Sequence, residues 1–465
     1  MTEYDLIVIG SGPAGEKAAL HAGYHGYKVA LVEMAAALGG AGVNTGTLPS
    51  KTLKETALYL SDQQNRGRYG VERTLSHAPT VADFLFRERY VVQTEGEEFR
   101  LQLLNRKVDI FRGVGVFLDA HTIEVRGETT EALRGKNILI ATGSTPAHAP
   151  QIPFEEVRVC DSDTILRIDH IPQSLCIVGA GVIGCEYATI FAAMGSQVTL
   201  VNAHADILPF LDREVARAFL GEMGQNGIDL RNGMQIESAS VENTSTGEIV
   251  RAHCAGGTVI DADMFLYAAG RNGNTRDLGL DRAGVQVDKH GTLKVDAAYR
   301  TTVPHIYAAG DVIGSPALGS TSMEQGRMAV VHMFGLHDIE RVASEIPTGV
   351  YTIPEMAMIG LSEEKAREQG VDFVVGRARY QDTPRGLIIG AQRGFLKLVC
   401  GRQTQQILGV HIIGSSATEL IHYGMELVEN REPLKRILGT VFNFPTLHEL
   451  YKYAAYDLWS RELLR

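Results

Sequence analysis

Residues 4–33 read YDLIVIGSGPAGEKAALHAGYHGYKVALVE and contain the stretch that decides the fold. The apolar run over residues 4–9 predicts a buried parallel strand, and residues 16–24 predict a helix. A GxGxxG turn separates them, and a second strand, predicted over residues 28–32, is followed by an acid. This order of strand, glycine turn, helix, strand and acid is typical of a unit that binds a dinucleotide.

A second copy of this unit begins at residue 174. A strand predicted over residues 174–178 leads into another GxGxxG turn, a helix over 185–194 and a strand over 197–201. In such a turn the first glycine permits the tight bend, the second lets the backbone approach a pyrophosphate, and the third lets helix pack on strand. The glycines expected to do this are Gly10, Gly12, Gly15, Gly179, Gly181 and Gly184. Two flexible glycine loops would not explain the matched flanking segments.

The residue that closes each second strand indicates which nucleotide binds. Glu33 can accept hydrogen bonds from both hydroxyls of an adenosine ribose and would repel a 2′-phosphate, which favours FAD in the first unit. Asn202 stands at the equivalent place in the second unit, with His204 close behind. Neutral Asn202, with His204 nearby, neither repels a 2′-phosphate nor clamps it. The second site is therefore predicted to take both NAD(H) and NADP(H).

Composition excludes several classes of protein. The chain has 465 residues, enough for about three domains. Its net charge of −11 argues against nucleic acid or an anionic membrane as a partner. The five cysteines form no CxxC pair and no zinc spacing, so no metal site is expected and a reducing compartment is favoured. With no membrane-spanning run and no signal peptide, a cytoplasmic protein is expected.

Four further segments, in chain order, resemble motifs of the pyridine nucleotide–disulfide oxidoreductase family. Residues 39–51 (GGAGVNTGTLPSK) are similar to the family's GGTCxNxGCxPSK, and residues 141–144 (ATGS) to its ATGS strand end. Residues 306–311 (IYAAGD) are similar to its second flavin motif. Residues 444–449 (FPTLHE) are similar to its HPTxxE. The resemblance covers essentially the whole chain.

This resemblance implies an α/β fold with two Rossmann-like dinucleotide-binding domains, for FAD and NAD(P), and a C-terminal α+β dimerisation domain. The expected limits are 1–147 for the FAD domain, 148–270 for the NAD(P) domain, 271–345 for the central continuation of the FAD domain, and 346–465 for the dimerisation domain. The last domain is predicted to contain strands over 350–353, 373–380, 394–400 and 407–413 and helices over 416–429 and 447–461. A homodimer, possibly part of a larger homo-oligomer, is implied.

The chain departs from the family at the residues that reduce a disulfide. The family's two redox cysteines fall on Gly42 and Thr47, and its catalytic histidine falls on Phe444. Disulfide reduction needs a thiolate beside the flavin and a histidine to manage its proton. No cysteine precedes Cys160 that could substitute. An ordinary disulfide reductase is therefore not expected.

The flavin machinery of the family is retained. Lys51 and Glu186 resemble its ion pair beside flavin N5 and are the expected catalytic residues. The helix predicted over residues 323–333 could stabilise negative charge on the reduced ring with its N-terminus. Other expected cofactor-binding residues, besides Lys51, are Gly42, Thr47, Thr142, Gly143, Gly270, Gly310 and Asp311.

Within the family, the chain most resembles members that act as transhydrogenases. This implies hydride transfer between NADPH and NAD⁺ through flavin N5 in a ping-pong cycle, of the Si-specific type, with FAD, NAD and NADP as cofactors. An FAD-dependent NAD(P)H:quinone or dye reductase remains an alternative, and a non-catalytic flavoprotein scaffold is a third. Phe444 either fills the space of the missing histidine or closes the site against solvent. His448 is expected to be a surface helix residue.

Overall fold

The structure is a computed structural model that describes residues 2–62, 68–70, 75–245, 247–289, 291–338 and 344–463. The last two residues of the predicted C-terminal domain lie outside this range. No helix in the described ranges is both long enough and apolar enough to cross a bilayer.

The first sheet contains the first glycine turn. Its region has the helices α1 (Pro13–Tyr24), α2 (Gly40–Asn44), α3 (Thr47–Ser61) and α4 (Val81–Asn105). Its strands are β1 (Thr2–Ile9), β2 (Val29–Glu33), β3 (Asp109–Arg112), β4 (Val114–Phe117), β5 (Thr122–Arg126) and β6 (Thr130–Ile140). Strand β7 (Ser144–Pro146) follows and lies outside this sheet. β1 lies between β2 and β6 and is parallel to both. A central parallel strand is covered on both faces, which explains its apolar run.

The second sheet contains the second turn and has the parallel order β11-β10-β9-β15-β8. The strands here are β8 (Val159–Asp161), β9 (Ser174–Val178), β10 (Gln197–Asn202), β11 (Asp229–Asn232), β12 (Ile236–Thr244), β13 (Gly247–Cys254), β14 (Val259–Ala262), β15 (Met264–Tyr267) and β16 (Arg271–Gly273). The helices are α5 (Val182–Ala193) and α6 (Arg213–Gln225). The antiparallel sheet β12-β13-β14 and helix α6 were not predicted.

The chain then returns to the first sheet. Strand β17 (Ile306–Ala308) pairs in parallel with β6, and α7 (Gly319–Phe334) packs on α1. Gly326 permits this close packing, because a Cβ there would lie 2.1 Å from Ala14 O. The helix begins four residues before the predicted start at residue 323. Its first turn consists of small residues with no apolar periodicity to signal it.

The C-terminal sheet is antiparallel and has the order β18-β19-β22-β21-β20. Its strands are β18 (Thr348–Val350), β19 (Met356–Gly360), β20 (Phe373–Arg379), β21 (Phe395–Gly401) and β22 (Ile407–Ile413). The helices are α8 (Glu363–Glu368), α9 (Pro384–Ile388), α10 (Ala417–Glu429), α11 (Leu434–Gly439) and α12 (Glu449–Leu463). Strand β19 was not predicted.

The strand predicted over residues 350–353 is wrong, because β18 ends at Val350. The next backbone N–H groups leave the sheet and bind side chains of α5. Tyr351 N donates to Glu186 Oε1, and Ile353 N donates to Thr189 Oγ1.

A buried charge cluster joins the second sheet's domain to the C-terminal sheet. The side chains of Lys397 on β21 and Asp212 before α6 are 1% and 0% exposed. Lys397 Nζ lies 2.9 Å from both Asp212 carboxylate oxygens, 3.0 Å from Glu214 Oε2 and 2.5 Å from Glu363 Oε1. Burial alone would lower the pKa of Lys397, but these three acids offset it and raise the pKa above its usual value. The lysine is therefore charged and tied to both domains.

Candidate functional site

One cavity of about 2910 Å³ is lined by both glycine turns. The side chains of Glu33, Lys51, Asn202 and Asp311 also line it. A site for a drug-sized molecule has roughly 300–1,000 Å³. This cavity can therefore hold ligands as large as dinucleotides, and both turns open into the same space.

The first turn has the geometry that a pyrophosphate requires. Gly10 has φ +101°, and a Cβ there would lie 2.4 Å from Ala141 O. A Cβ on Gly15 would lie 2.0 Å from Gly10 O, so α1 can pack on the strand only with glycine at this position. At Gly12 the nearest atom to a Cβ is 4.0 Å away, which leaves room for a ligand. Helix α1 begins directly after it, so its free N–H groups serve as donors for a phosphate.

The second turn repeats this geometry. Gly179 has φ +100° and would place a Cβ 2.6 Å from Ala268 O, and a Cβ on Gly184 would lie 1.8 Å from Gly179 O. At Gly181 a Cβ would meet nothing within 4 Å. Both turns thus fit FAD or NAD(P) by their own shape. Helices α1 and α5 begin at residues 13 and 182, three residues before their predicted starts, because the turn residues form their first helical turns.

Glu33 is held at the end of β2 with only 7% of its surface exposed. Its Oε2 accepts hydrogen bonds from Ser11 N at 2.8 Å and Ser11 Oγ at 2.6 Å, and Oε1 accepts one from Ala35 N at 2.8 Å. These donors orient the carboxylate beside the first turn. Sequence reasoning missed Ser11, because the x positions of the motif carry no residue preference.

Asn202 is buried at the end of β10, and its amide organises the loop that follows. Its Nδ2 lies 3.0 Å from His204 O, 3.0 Å from Asp206 O and 2.9 Å from Asn232 Oδ1. His204 N donates in turn to Asn202 Oδ1 at 3.3 Å. Asn202 therefore shapes the cavity wall by holding this loop in place. His204, in the same loop, is exposed.

Lys51 and Glu186 form an ion pair in the cavity wall, as the resemblance implied. Lys51 Nζ on α3 lies 3.0 Å from Oε1 and 2.8 Å from Oε2 of Glu186 on α5. Glu186 is 3% exposed, whereas the Lys51 side chain is 25% exposed. Glu186 Oε1 also accepts the Tyr351 N–H at 3.0 Å. The buried carboxylate thus fixes an ammonium group that reaches the cavity.

Tyr351 was missed in the sequence and lies between two lysines. Lys51 Nζ is 4.9 Å and Lys54 Nζ 5.9 Å from its ring centroid. Burial alone would lower the pKa of Lys54, but Glu355 and Glu55 beside it raise the pKa above its usual value.

Asp311 lies below the first turn in a polar network. Ser144 Oγ donates to Asp311 Oδ2 at 2.8 Å, and Arg271 Nε donates to Ser144 Oγ at 2.9 Å. Gly310, with φ +82°, donates its N–H to Gln325 Oε1 at 2.8 Å. Arg271 and Gln325 were not predicted, since neither lies in a motif.

The remaining expected cofactor-binding residues also line the cavity. Gly143 and Gly270 have φ +69° and +131°, a backbone conformation that favours glycine, with open space where a Cβ would be. Thr142 Oγ1 donates to Asn274 O at 2.6 Å and so fixes the strand end. Thr47 begins α3 and lines the cavity.

No thiol reaches the cavity. At Gly42, where the family has a cysteine, a Cβ would lie 2.6 Å from Pro13 Cγ. All five cysteines lie in the described part of the chain, where they are buried and outside any disulfide, and none lines the cavity. Burial raises the pKa of Cys160, Cys176 and Cys185 to about 12, so these thiols stay protonated near neutral pH.

The FPTLHE segment lies at the surface of this chain. Phe444 is 73% exposed and Val441 91% exposed. His448 precedes α12 rather than lying in it, and its ring contacts Phe442 and Tyr451. Burial lowers the pKa of His448.

Comparison with protein-family models gives two matches. The model "Pyridine nucleotide-disulphide oxidoreductase" matches residues 4–326, and the dimerisation domain of the same family matches residues 346–455. Together they span most of the chain.

Curated relatives are similar over nearly their full length. Proteins named soluble pyridine nucleotide transhydrogenase are 42% identical in Mycobacterium bovis, covering 99% of this chain and 98% of the relative, and 40% identical in Pseudomonas putida, covering 98% of each. Among solved structures, the HOCl-induced flavoprotein disulfide reductase RclA from Escherichia coli is 27% identical with a TM-score of 0.87, covering 98% and 99% of the two chains. LpdA from Mycobacterium tuberculosis is 26% identical with a TM-score of 0.89, covering 98% and 100%.

Proposed function

We infer that this chain, which belongs to the pyridine nucleotide-disulphide oxidoreductase family, is an FAD-dependent transhydrogenase that exchanges hydride between NADPH and NAD⁺. Relatives with that name are similar to it over nearly their full length. The observation that carries the proposal is the single cavity that both glycine turns enter and that no cysteine lines. Electrons received from one nucleotide therefore have no sulfur to reach, and a second nucleotide takes them from the same cavity.

We propose the following roles for the residues that line this cavity. FAD, when bound, supplies a ring that can accept a hydride from one nicotinamide and pass it to another. The first turn and Glu33 hold the dinucleotide of the flavin, and the second turn holds NAD(H) or NADP(H). The Lys51 ammonium, fixed by buried Glu186, supplies a positive charge at the cavity wall.

Thr142, Gly143, Gly310 and Asp311 are proposed to hold the flavin's linker, and Gly42 and Thr47 to border its ring. Gly270 is proposed to line the nicotinamide side. Asn202 keeps the 2′ position of the second site uncharged, and His204 lies beside it.

We also propose the domain limits, the assembly and the location of the protein. The domain limits predicted from the sequence are retained, and the C-terminal domain is proposed to form a homodimer, with larger assemblies built from such dimers. A cytoplasmic location is proposed because all five cysteines are buried and none forms a disulfide, as is usual in a reducing compartment.

An anaerobic redox titration and a hydride-exchange assay test this function. Each chain should take up two electrons, that is, one equivalent of NADPH, because no disulfide is present to store a second pair. Mixing the holoenzyme with NADPH and thio-NAD⁺ should then form thio-NADH. Fast reduction of menadione without thio-NADH would instead identify a quinone reductase, and flavin that NADPH does not bleach would identify a scaffold.

Variants of Lys51 test its assigned role. Lys51→Gln should slow reduction of the flavin by NADPH, because it removes the fixed positive charge. Lys51→Arg keeps the charge and should recover part of the rate. Equal rates for the two variants would contradict an electrostatic role.

A further inference from the structure

A cluster of two histidines and one aspartate lies at the carboxyl end of α1, outside the nucleotide cavity. Among the residues that the structure describes, His21, His25 and Asp338 are the one group of at least three such side chains whose ligand atoms meet, all within 4.8 Å of one another. We propose that this group binds one Zn²⁺ or a similar divalent transition-metal ion. The cysteine pattern had predicted no metal site, and this proposal departs from that prediction.

The spacing of the ligand atoms fits a tetrahedral ion. His21 and His25 are four residues apart, so their rings lie one turn apart on one side of the helix. His21 Nε2 is 3.2 Å and His25 Nε2 3.0 Å from Asp338 Oδ2. Metal–ligand bonds of about 2.0–2.2 Å place neighbouring ligand atoms roughly 3.3 Å apart in a tetrahedron. Two of the three distances between ligand atoms therefore already match those of a tetrahedral site.

The hydrogen bonding of His21 leaves a ring nitrogen available. Its Nε2 is buried and has no hydrogen-bond partner by geometric criteria, and its 3.2 Å contact with Asp338 Oδ2 is an ion pair only when the ring is protonated. A buried ring nitrogen without a partner is costly unless something else satisfies it. A metal ion between the two imidazoles and the carboxylate would satisfy it.

Metal binding needs neutral imidazole and ionised carboxylate. Arg327, the cation near the cluster, is itself paired with Glu324, so part of its charge is neutralised locally.

The site joins two segments that both contribute to the flavin half of the cavity. Helix α1 begins at the first glycine turn, and Asp338 follows α7, the helix packed against α1. Tyr27 stacks on Phe334 beside the cluster with ring centroids 3.7 Å apart. A bound ion would add a link between α1 and the segment after α7 without touching the cavity.

Calorimetric titration of the chelator-treated holoenzyme with Zn²⁺ tests the proposal. The wild-type protein should bind one Zn²⁺ per chain, and His25→Ala and Asp338→Asn should each lose this binding. The control variant His253→Ala, on β13 in the other half of the molecule, should keep it. The side chains of His25 and Asp338 are 33% and 37% exposed and lie outside the hydrophobic core, so these variants should fold.

Two further measurements make the outcome decisive. Zn²⁺ should raise the Tm of the wild-type holoenzyme and not that of His25→Ala, because an ion that binds only the folded state stabilises it. Mg²⁺ should not replace Zn²⁺, because it prefers oxygen ligands. Equal Zn²⁺ stoichiometry in wild type and His25→Ala would overturn the proposal, as would equal binding of Mg²⁺.

Discussion

Substituting Gly181 by alanine separates ligand binding from folding at the second glycine turn. A Cβ at this position would meet no protein atom within 4 Å, and the residue has φ −78°, which alanine adopts without strain. Alanine is a poorer N-cap than glycine, which lowers the free energy of unfolding by several tenths of a kcal/mol. Alanine also makes the unfolded chain less flexible, which raises the free energy of unfolding by about 0.4–1 kcal/mol. The free energy of unfolding should therefore change by less than about 0.5 kcal/mol.

Binding should change much more. The methyl group would occupy the open space that the turn offers to a pyrophosphate and would cost one hydrogen bond to a charged group, about 1.5–3 kcal/mol. This corresponds to affinities roughly 10- to 150-fold weaker. Because the pyrophosphate is common to both nucleotides, NADH and NADPH should be affected equally. The FAD content should stay at the wild-type level.

Stopped-flow reduction of the flavin at increasing nucleotide concentration measures the two apparent affinities, and urea unfolding measures stability. Gly184→Ala is the matched control, because its Cβ would lie 1.8 Å from Gly179 O. That variant should lose at least about 1–3 kcal/mol of stability through overpacking. Unchanged affinity in a normally folded Gly181→Ala would refute the assignment of this turn to the nicotinamide nucleotide.

Four other outcomes are expected. Lys397→Met should lower the free energy of unfolding by about 3–5 kcal/mol, because the buried negative charge of Asp212 then lacks its cation. In urea unfolding, the double variant Lys397→Met/Asp212→Asn should recover part of this loss. Burial alone would raise the pKa of Asp212, but His411 and Lys397 lower the pKa overall. As the pH falls, the unfolded chain therefore protonates Asp212 before the folded chain does, so the stability that ionised Asp212 contributes should be full above about pH 4 and lost as the pH falls further. The free energy of unfolding of Asp212→Asn should accordingly depend less on acid pH than that of the wild type. Asn202→Glu should weaken NADPH more than NADH in flavin-reduction assays, and equal weakening would mean that only the loop had been disturbed. A thiol reagent should find no reactive cysteine in the native holoenzyme and all five after unfolding.

The sequence predicted best what is local. Each glycine turn occupies six residues, and its steric demands come from adjacent backbone, so the pattern alone indicates both the strand and the helix. Glu33 was found because it closes the next strand. In contrast, the Lys51–Glu186 pair joins residues far apart in the chain, and only the family resemblance suggested it.

Other features could not be predicted from local sequence patterns, mostly because they depend on contacts between segments far apart in the chain. Tyr351 continues an apolar-looking strand pattern, yet its N–H is taken by a side chain of α5, and the strand ends before it. Asn202 was predicted only to leave the 2′ position neutral, and its hydrogen bonds to Asn232 and to backbone carbonyls of its own loop were not foreseen. Strand β19 is short and apolar, and periodicity alone does not distinguish such a run from a buried helical segment.

The Lys397 cluster also restricts the domain motions that could accompany binding and release of nucleotides. Swinging the second dinucleotide domain away from the C-terminal sheet would pull a fully desolvated ammonium from Asp212, and neither charge could be rehydrated until the gap was wide enough for water. A hinge at this junction is therefore stiff. We therefore expect nucleotides to be admitted by motions that leave this cluster intact, rather than by a swing that parts the two domains.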